Sequence, residues 1–270
     1  MNISSTSDWQ KENLATLLAA TEYIGRCLKD KLENKTLQPF PDETILETST
    51  LAALCRVFHL TKFERDIVLL CTALEIDPSI AQLCSQIQGN PNFNYPTLSL
   101  SLATFTQASL SVLSAHNPLQ YWRLIEFGTG LSLSQTPLRI EQRILSYLLG
   151  ERAFDEQLLN FIRPFPNKLE PDSLTSSQSK IVAQVINIWS ELSWSSPSIQ
   201  LCGEEIAVNT IAKAISVALG YNLHIMSATV FVQSPQEIYQ LERRWTREAL
   251  LSNSLLRLLR SMSAGFKAMS

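Results

Sequence analysis

The residues Gly203-Glu204-Glu205-Ile206-Ala207-Val208-Asn209-Thr210 have the length and order of a phosphate-binding loop. In the pattern G-x-x-x-x-G-K-[ST], the glycines let backbone N–H groups close around phosphates. The lysine neutralises the β and γ charges, and the final hydroxyl holds magnesium. Gly203 and Thr210 fit the first and last places, but Val208 replaces the second glycine and Asn209 replaces the lysine. A β-branched valine suits a backbone bent around an anion poorly. Asparagine carries no charge, and Glu204 and Glu205 add negative charge where an anion would sit. The expectation is a degraded loop in which ATP and Mg rest on Gly203 and Thr210 alone. The competing reading is an ordinary strand-to-helix turn.

Other reactive side chains form no constellation. His59, His116 and His224 are far apart and lack a nucleophile partner, so catalytic residues are expected to be none. Cys27, Cys55, Cys71, Cys84 and Cys202 are odd in number and include no CxxC pair, which argues against a disulfide framework or a zinc ribbon. Cys55 and His59 have an i,i+4 spacing that a metal could use, but two packed residues of one helix explain them, and no metal site is expected. Arg243, Arg244 and Arg247 with Glu242 and Glu248 read as a solvated helix face, as do Arg139 and Arg143. Trp122 and Trp245 read as core anchors.

Helices must position these groups. Residues 8–34 read as one helix, with Asp8 as its cap and Trp9, Leu14, Leu17, Leu18, Ile24 and Leu28 on one face. Pro39 and Pro41 mark a linker over 35–44. Ser49 or Thr50 caps a helix through Leu51, Leu54, Val57 and Phe58. Thr61 with Glu64 has the spacing of a capping box. Asp77-Pro78 opens a third helix, which Gly89 closes. Residues 121–134, with Gly128 and Gly130, read as a β-hairpin, giving the order of a winged helix. Thr136-Pro137 then opens a helix over 138–149, and a short helix follows at 154–162. Pro164, Pro166 and Pro171 mark a boundary. Beyond it come a helix at 175–192, a buried strand at 198–202, a helix from Asn209 to Leu219, a strand at 222–226 and a helix from 235 to 258. That alternation is an α/β unit with parallel strands.

The formal net charge is -3, which advertises no nucleic-acid partner. Residues 78–122 hold no Lys, Arg, Asp or Glu; they are either buried against another domain or subunit, or a helix face of neutral polar groups. A recognition helix placed at 78–90 would carry no cation for phosphate. No secretory leader and no membrane-length apolar run is present, so a cytoplasmic setting is expected.

Several stretches resemble bacterial AAA-type ATPases that carry an N-terminal winged-helix domain. They are LAALCRVFHLTKFERDIVLLCTALEIDPSIAQLCSQIQGN (51–90), YPTLSLSLA (95–103), NPLQYWRLIEFGTG (117–130), LSLSQTPLRIEQRILSYLLG (131–150), FDEQLLNFIRP (154–164), IQLCGEEIAVNTIAKAISVALGYNL (199–223) and LERRWTREALL (241–251). The resemblance implies a mainly α chain: an N-terminal helix and linker (1–44), a winged-helix domain (45–165), a partial P-loop α/β region (172–258) and a tail (259–270). It implies ATP and Mg as ligands and AAA-type subunits or another protein as partner. Of the family's nucleotide loop only Gly203 and Thr210 match. No acidic residue follows Glu248 to supply a Walker B motif, and the sequence reads as cut short or shifted in frame near residue 252. The expectation is a non-catalytic or regulatory member that acts in protein interaction. The alternatives are an ATPase subunit of a remodelling complex and a winged-helix DNA-binding protein.

A sheet of two strands would leave an open apolar edge. The last third is therefore expected to unfold first in urea, giving transitions that differ between probes. One transition shared by all probes contradicts this.

Overall fold

The computed structural model describes residues 3–37, 40, 45–129, 132–166, 174–191, 198–227 and 234–259. The expectations for Pro39, Pro41, Gly130, Pro171 and the tail from 260 lie outside them. The chain is mainly helical and divides into two compact units, Met1–Ala153 and Phe154–Ser270.

The first unit is built around α3 (Lys62–Ile76), buried from Phe63 to Ala73. A helix buried on all sides must pair every polar group it carries. Arg65 bonds Asp66 through Nε (3.0 Å) and Nη2 (2.8 Å), and its guanidinium lies 4.5 Å from the centre of the Phe40 ring. Glu64 closes the capping box: Oε2 accepts from the Thr61 N–H (2.8 Å) and hydroxyl (2.9 Å), while Thr61 Oγ1 accepts from the Glu64 N–H. Its other oxygen accepts from Asn117 Nδ2, and Asn117 Oδ1 accepts the Leu119 N–H (3.0 Å). One carboxylate thus caps α3 and holds the cap of α6 (Pro118–Tyr121).

Around α3 lie α1 (Ile3–Leu32), α2 (Thr50–Val57), α4 (Ser79–Gln88), α5 (Leu98–Thr104) and α7 (Gln142–Leu148). Leu17, Ile24 and Leu28 of α1 are buried, and α1 packs along α3 and α4. The helix begins before Asp8, so Asp8 lies within it instead of capping it; Leu14 and Leu18 face outward. Ser49, not Thr50, caps α2. Thr50 instead donates its N–H to Asn13 Oδ1 (2.8 Å), while Asn13 Nδ2 donates to the Leu148 carbonyl (2.9 Å). These bonds stitch α1, α2 and α7 together. Gly150 (φ +78°) sits against this joint, where an added Cβ would come within 3.2 Å of Asn13 Nδ2.

The hairpin pairs β1 (Ile125–Phe127) with β2 (Leu138–Ile140) in the register Ile125↔Ile140, Glu126↔Arg139 and Phe127↔Leu138. The hairpin expected over 121–134 extends to Ile140, because the second strand is Leu138–Ile140, and the helix expected from Leu138 is corrected with it. Leu138 and Ile140 are buried while Arg139 is exposed, a period of two. Helix starts only where the Glu141 side chain caps the Ile144 N–H (3.1 Å). Gly128 donates to the Pro137 carbonyl (2.8 Å), and a Cβ at Gly128 would press on the proline ring at 3.2 Å.

The second unit holds a three-stranded sheet in the order β3 (Ile162–Pro164), β4 (Asn222–Ser227), β5 (Ser254–Leu259). β3 runs antiparallel to β4, and β5 runs parallel to it. α10 (Pro235–Ser252) connects β4 to β5. Leu158, Ile162 and Met226 form a core with Phe161, Leu241, Trp245 and Leu256 against it. α8 (Ser176–Glu191) packs on α9 (Glu205–Ala218) through Val182, Ile211 and Ile215.

Four expectations fail here. Residues 198–202 form no strand; Ser198, Ile199, Gln200 and Cys202 are exposed, with no ladder to join. The helix at 154–162 shrinks to a 3-10 turn at Glu156–Leu158, because Ile162 enters the sheet opposite Met226. α9 starts four residues before Asn209. The final helix stops at Ser252, since Asn253 takes a left-handed conformation (φ 48°) and Ser254–Leu259 becomes β5. Asn222 fixes the register by donating its N–H to the Asn253 carbonyl (2.8 Å) and its side-chain amide to the Ser252 carbonyl (2.9 Å).

Replacing Glu64 by Ala removes the carboxylate half of the capping box and takes from Asn117 Nδ2 its acceptor, leaving the Thr61 and Asn117 cap bonds without their support. We expect a loss of about 3 kcal/mol from the first unit, measured by urea unfolding. Glu64→Gln loses less, because its amide keeps one of the two acceptor roles.

Candidate functional site

The octapeptide 203–210 does not form an open loop. Gly203 (φ +153°) breaks the chain, Glu204 is the N-cap, and α9 begins at Glu205. The Val208 N–H is already bonded to the Glu204 carbonyl (3.0 Å), so it does not face a ligand. Val208, Asn209 and Thr210 lie within the helix. The Thr210 hydroxyl donates to the Ile206 carbonyl (2.9 Å), and Asn209 Oδ1 is buried without a hydrogen-bond partner. Glu204 and Glu205 occupy the positive end of the helix, where acidic groups favour helix formation. A triphosphate cradle needs converging free N–H groups and a cation; these residues do not fit one, nor the magnesium that would accompany it.

Metal and thiol chemistry is no better served. His59 (φ 52°) lies in the turn after α2 and is exposed, so Cys55 and His59 do not share a helix face. Among the described residues, no cluster of three His, Cys, Asp or Glu could hold a metal. Burial pushes the Cys27 and Cys55 thiols up to about 11 and the Cys84 thiol up to about 12.

The hairpin end of the first unit is better defined. The Thr97 backbone bridges to Pro137, and the Leu138 N–H donates to the Pro96 carbonyl (2.8 Å), an isolated antiparallel bridge at the start of β2. Gln88 shapes this approach, with Nε2 donating to the Phe93 (2.9 Å) and Tyr95 (3.0 Å) carbonyls and Oε1 accepting from Thr97 Oγ1 (2.7 Å). The helix directly before the hairpin is the single turn α6, not residues 78–90. Asn117 to Trp122 carry no charge. Trp122 packs on Phe58, with ring centres 5.4 Å apart. Much of the neutral stretch is surface: Thr106 to Ser111 and Ser114 to His116 are exposed. Arg139 and Arg143 do not share a helix face, since Arg139 is exposed on β2 opposite Glu126 and Arg143 is buried in α7.

In the second unit a buried charged cluster stands where a solvated face was expected. Arg247 and Glu248 are fully buried. Asp155 Oδ2 accepts from Arg244 Nη1 (2.9 Å) and Arg247 Nη2 (2.7 Å). His224 stacks on Phe154 (4.9 Å) and meets the edge of Trp245 (5.6 Å). Asp155 carried no sequence signal beyond its place before a turn; its partners lie some ninety residues away.

Helices followed by an antiparallel hairpin, with one backbone bridge from Thr97 to the start of β2, have the order of the winged-helix class of domain. The chain belongs to the winged helix domain, variant, family, whose model matches residues 3–162. No curated protein and no solved structure matches it. Among the described residues no helix is long and apolar enough to cross a membrane.

Burial holds the His224 imidazole below its ordinary pKa, with the Asn222 backbone and Glu248 opposing. Below about pH 6.5 the unfolded chain then binds a proton that the folded one refuses, so stability falls with falling pH. We expect His224→Gln to flatten the change in melting temperature of the second unit between about pH 7.5 and 5.5. An identical slope in both proteins contradicts this.

Proposed function

We propose that this chain is a non-catalytic, protein-interacting member of a winged-helix AAA-type ATPase system, holding ATP weakly at most. The observation that carries the reading is β5. One edge pairs with β4, and among the described residues no strand pairs with the other. Its sequence, Ser254-Leu255-Leu256-Arg257-Leu258-Leu259, places two leucines on each face, and Leu258 is 52% exposed. Unpaired N–H and C=O groups beside exposed leucines accept a strand from another chain. An AAA-type subunit is the partner that the sequence resemblance suggests.

Two features of the molecule favour interaction over chemistry. The segment that resembles a nucleotide loop is wound into α9, with its hydroxyl engaged inside the helix. α6 and the exposed stretch before it carry no cation, and on the hairpin the exposed Arg139 stands opposite Glu126. Nucleic-acid affinity depends on phosphate neutralisation, so a protein surface is the better match.

Calorimetric titration of Mg-ATP into the whole chain, beside a Val208→Gly, Asn209→Lys double mutant, tests the reading. The natural chain should bind no tighter than about millimolar, roughly -4 kcal/mol. ATP turnover by the natural chain alone overturns the proposal. Leu258→Lys should abolish association with a competent AAA-type subunit in a two-component sizing experiment, without altering the first unit.

A further inference from the structure

Winged-helix family sequence runs to residue 162, yet the compact unit that it builds ends at Ala153. The remainder packs into the second unit. Phe154 stacks on His224, Leu158 and Ile162 are fully buried, and Ile162, Arg163 and Pro164 pair with Met226, Ile225 and His224. The Phe165 N–H donates to the Leu223 carbonyl (2.9 Å).

We propose that Phe154–Pro164 is a detachable strap that covers the outer edge of β4 and is fastened there by Asp155. Three features make it separable from the sheet. β3 has three residues and ends on Pro164, which has no N–H to give. It runs antiparallel, whereas β4 and β5 form a parallel six-residue ladder of their own. Its charged fastening is one side chain: Asp155 Oδ2 receives both arginines, and Oδ1 caps the turn by accepting the Gln157 N–H (3.0 Å). A short edge strand whose ionic contacts run through one shared carboxylate loosens as a unit when that group goes, because two ionic bonds and a cap weaken together and the three-residue ladder with the buried Leu158 and Ile162 is left to hold it. Release leaves the β4–β5 ladder intact and opens a second strand-accepting edge on β4. The strap thereby links the C-terminal end of the winged-helix sequence to whether the sheet is closed or open.

Hydrogen exchange on the full chain tests this, comparing the natural protein with Asp155→Asn and with Arg244→Gln. Asp155→Asn keeps the shape of the side chain and an oxygen for the cap but removes the charge. Exchange at residues 158–166 should rise about a hundredfold, and about tenfold in Arg244→Gln. The amides of β5, α10 and α3 should keep their protection. Equal loss of protection in β5 and α10 overturns the proposal, since Asp155 would then support the whole unit. Unchanged exchange at 158–166 in both variants overturns it as well. If Asp155→Asn does not fold, the milder Arg244→Gln still decides between local release and general unfolding.

Discussion

The buried carboxylate of Glu64 constrains the first unit more than any apolar contact does. α3 runs through the centre of that unit and has no solvated face to lend its polar groups to water. Each charge on it must therefore find a partner in one geometry. Glu64 does so by joining the start of α3 to the start of α6, and α6 leads directly into β1. The position of the hairpin thus follows from one hydrogen-bonded group deep in the helical core. Asn13 acts similarly at the opposite end, fixing α1, α2 and α7 to one another.

The second unit solves a different problem. Its sheet is narrow, and its two ladders run in opposite senses. On one face Ile162, His224 and Met226 are buried, whereas Leu223, Ile225, Leu255 and Leu256 are partly buried and Leu258 is exposed. A buried cation pair beside the buried face needs a carboxylate, and Asp155 provides it from a distant part of the chain. Glu204 and Glu205 stand at the positive end of the α9 dipole, so acidic groups already occupy the place where an anionic ligand would sit.

Features governed by neighbours in sequence were legible, and features governed by distant partners were not. The capping box at Thr61/Glu64 and the Gly89 stop are local geometry, which a sequence displays directly. β2 and β5 were read as helix because Leu-rich segments satisfy either period until a pairing strand chooses. The opposite error at 198–202 has the same cause: an apolar run resembles a strand, but no neighbour is there to make it one. The start of α9 was misplaced because the phosphate-loop pattern imposes a loop on residues that prefer helix. At the candidate site, Gly203 and Thr210 match a pattern whose open loop is not formed, whereas the burial of Arg247 and Glu248 could not be inferred from residue type, since both usually face water.

The overlap between family sequence and second unit bears on ancestry. A recombination event that joined a ready-made winged helix to an unrelated partner at residue 162 would cut β3 in half and part Arg244 and Arg247 from the carboxylate that they share. Viable exchange requires a breakpoint before Phe154 or beyond Phe165. The end of the family sequence at residue 162 therefore does not coincide with a boundary of folding, which lies between Ala153 and Phe154.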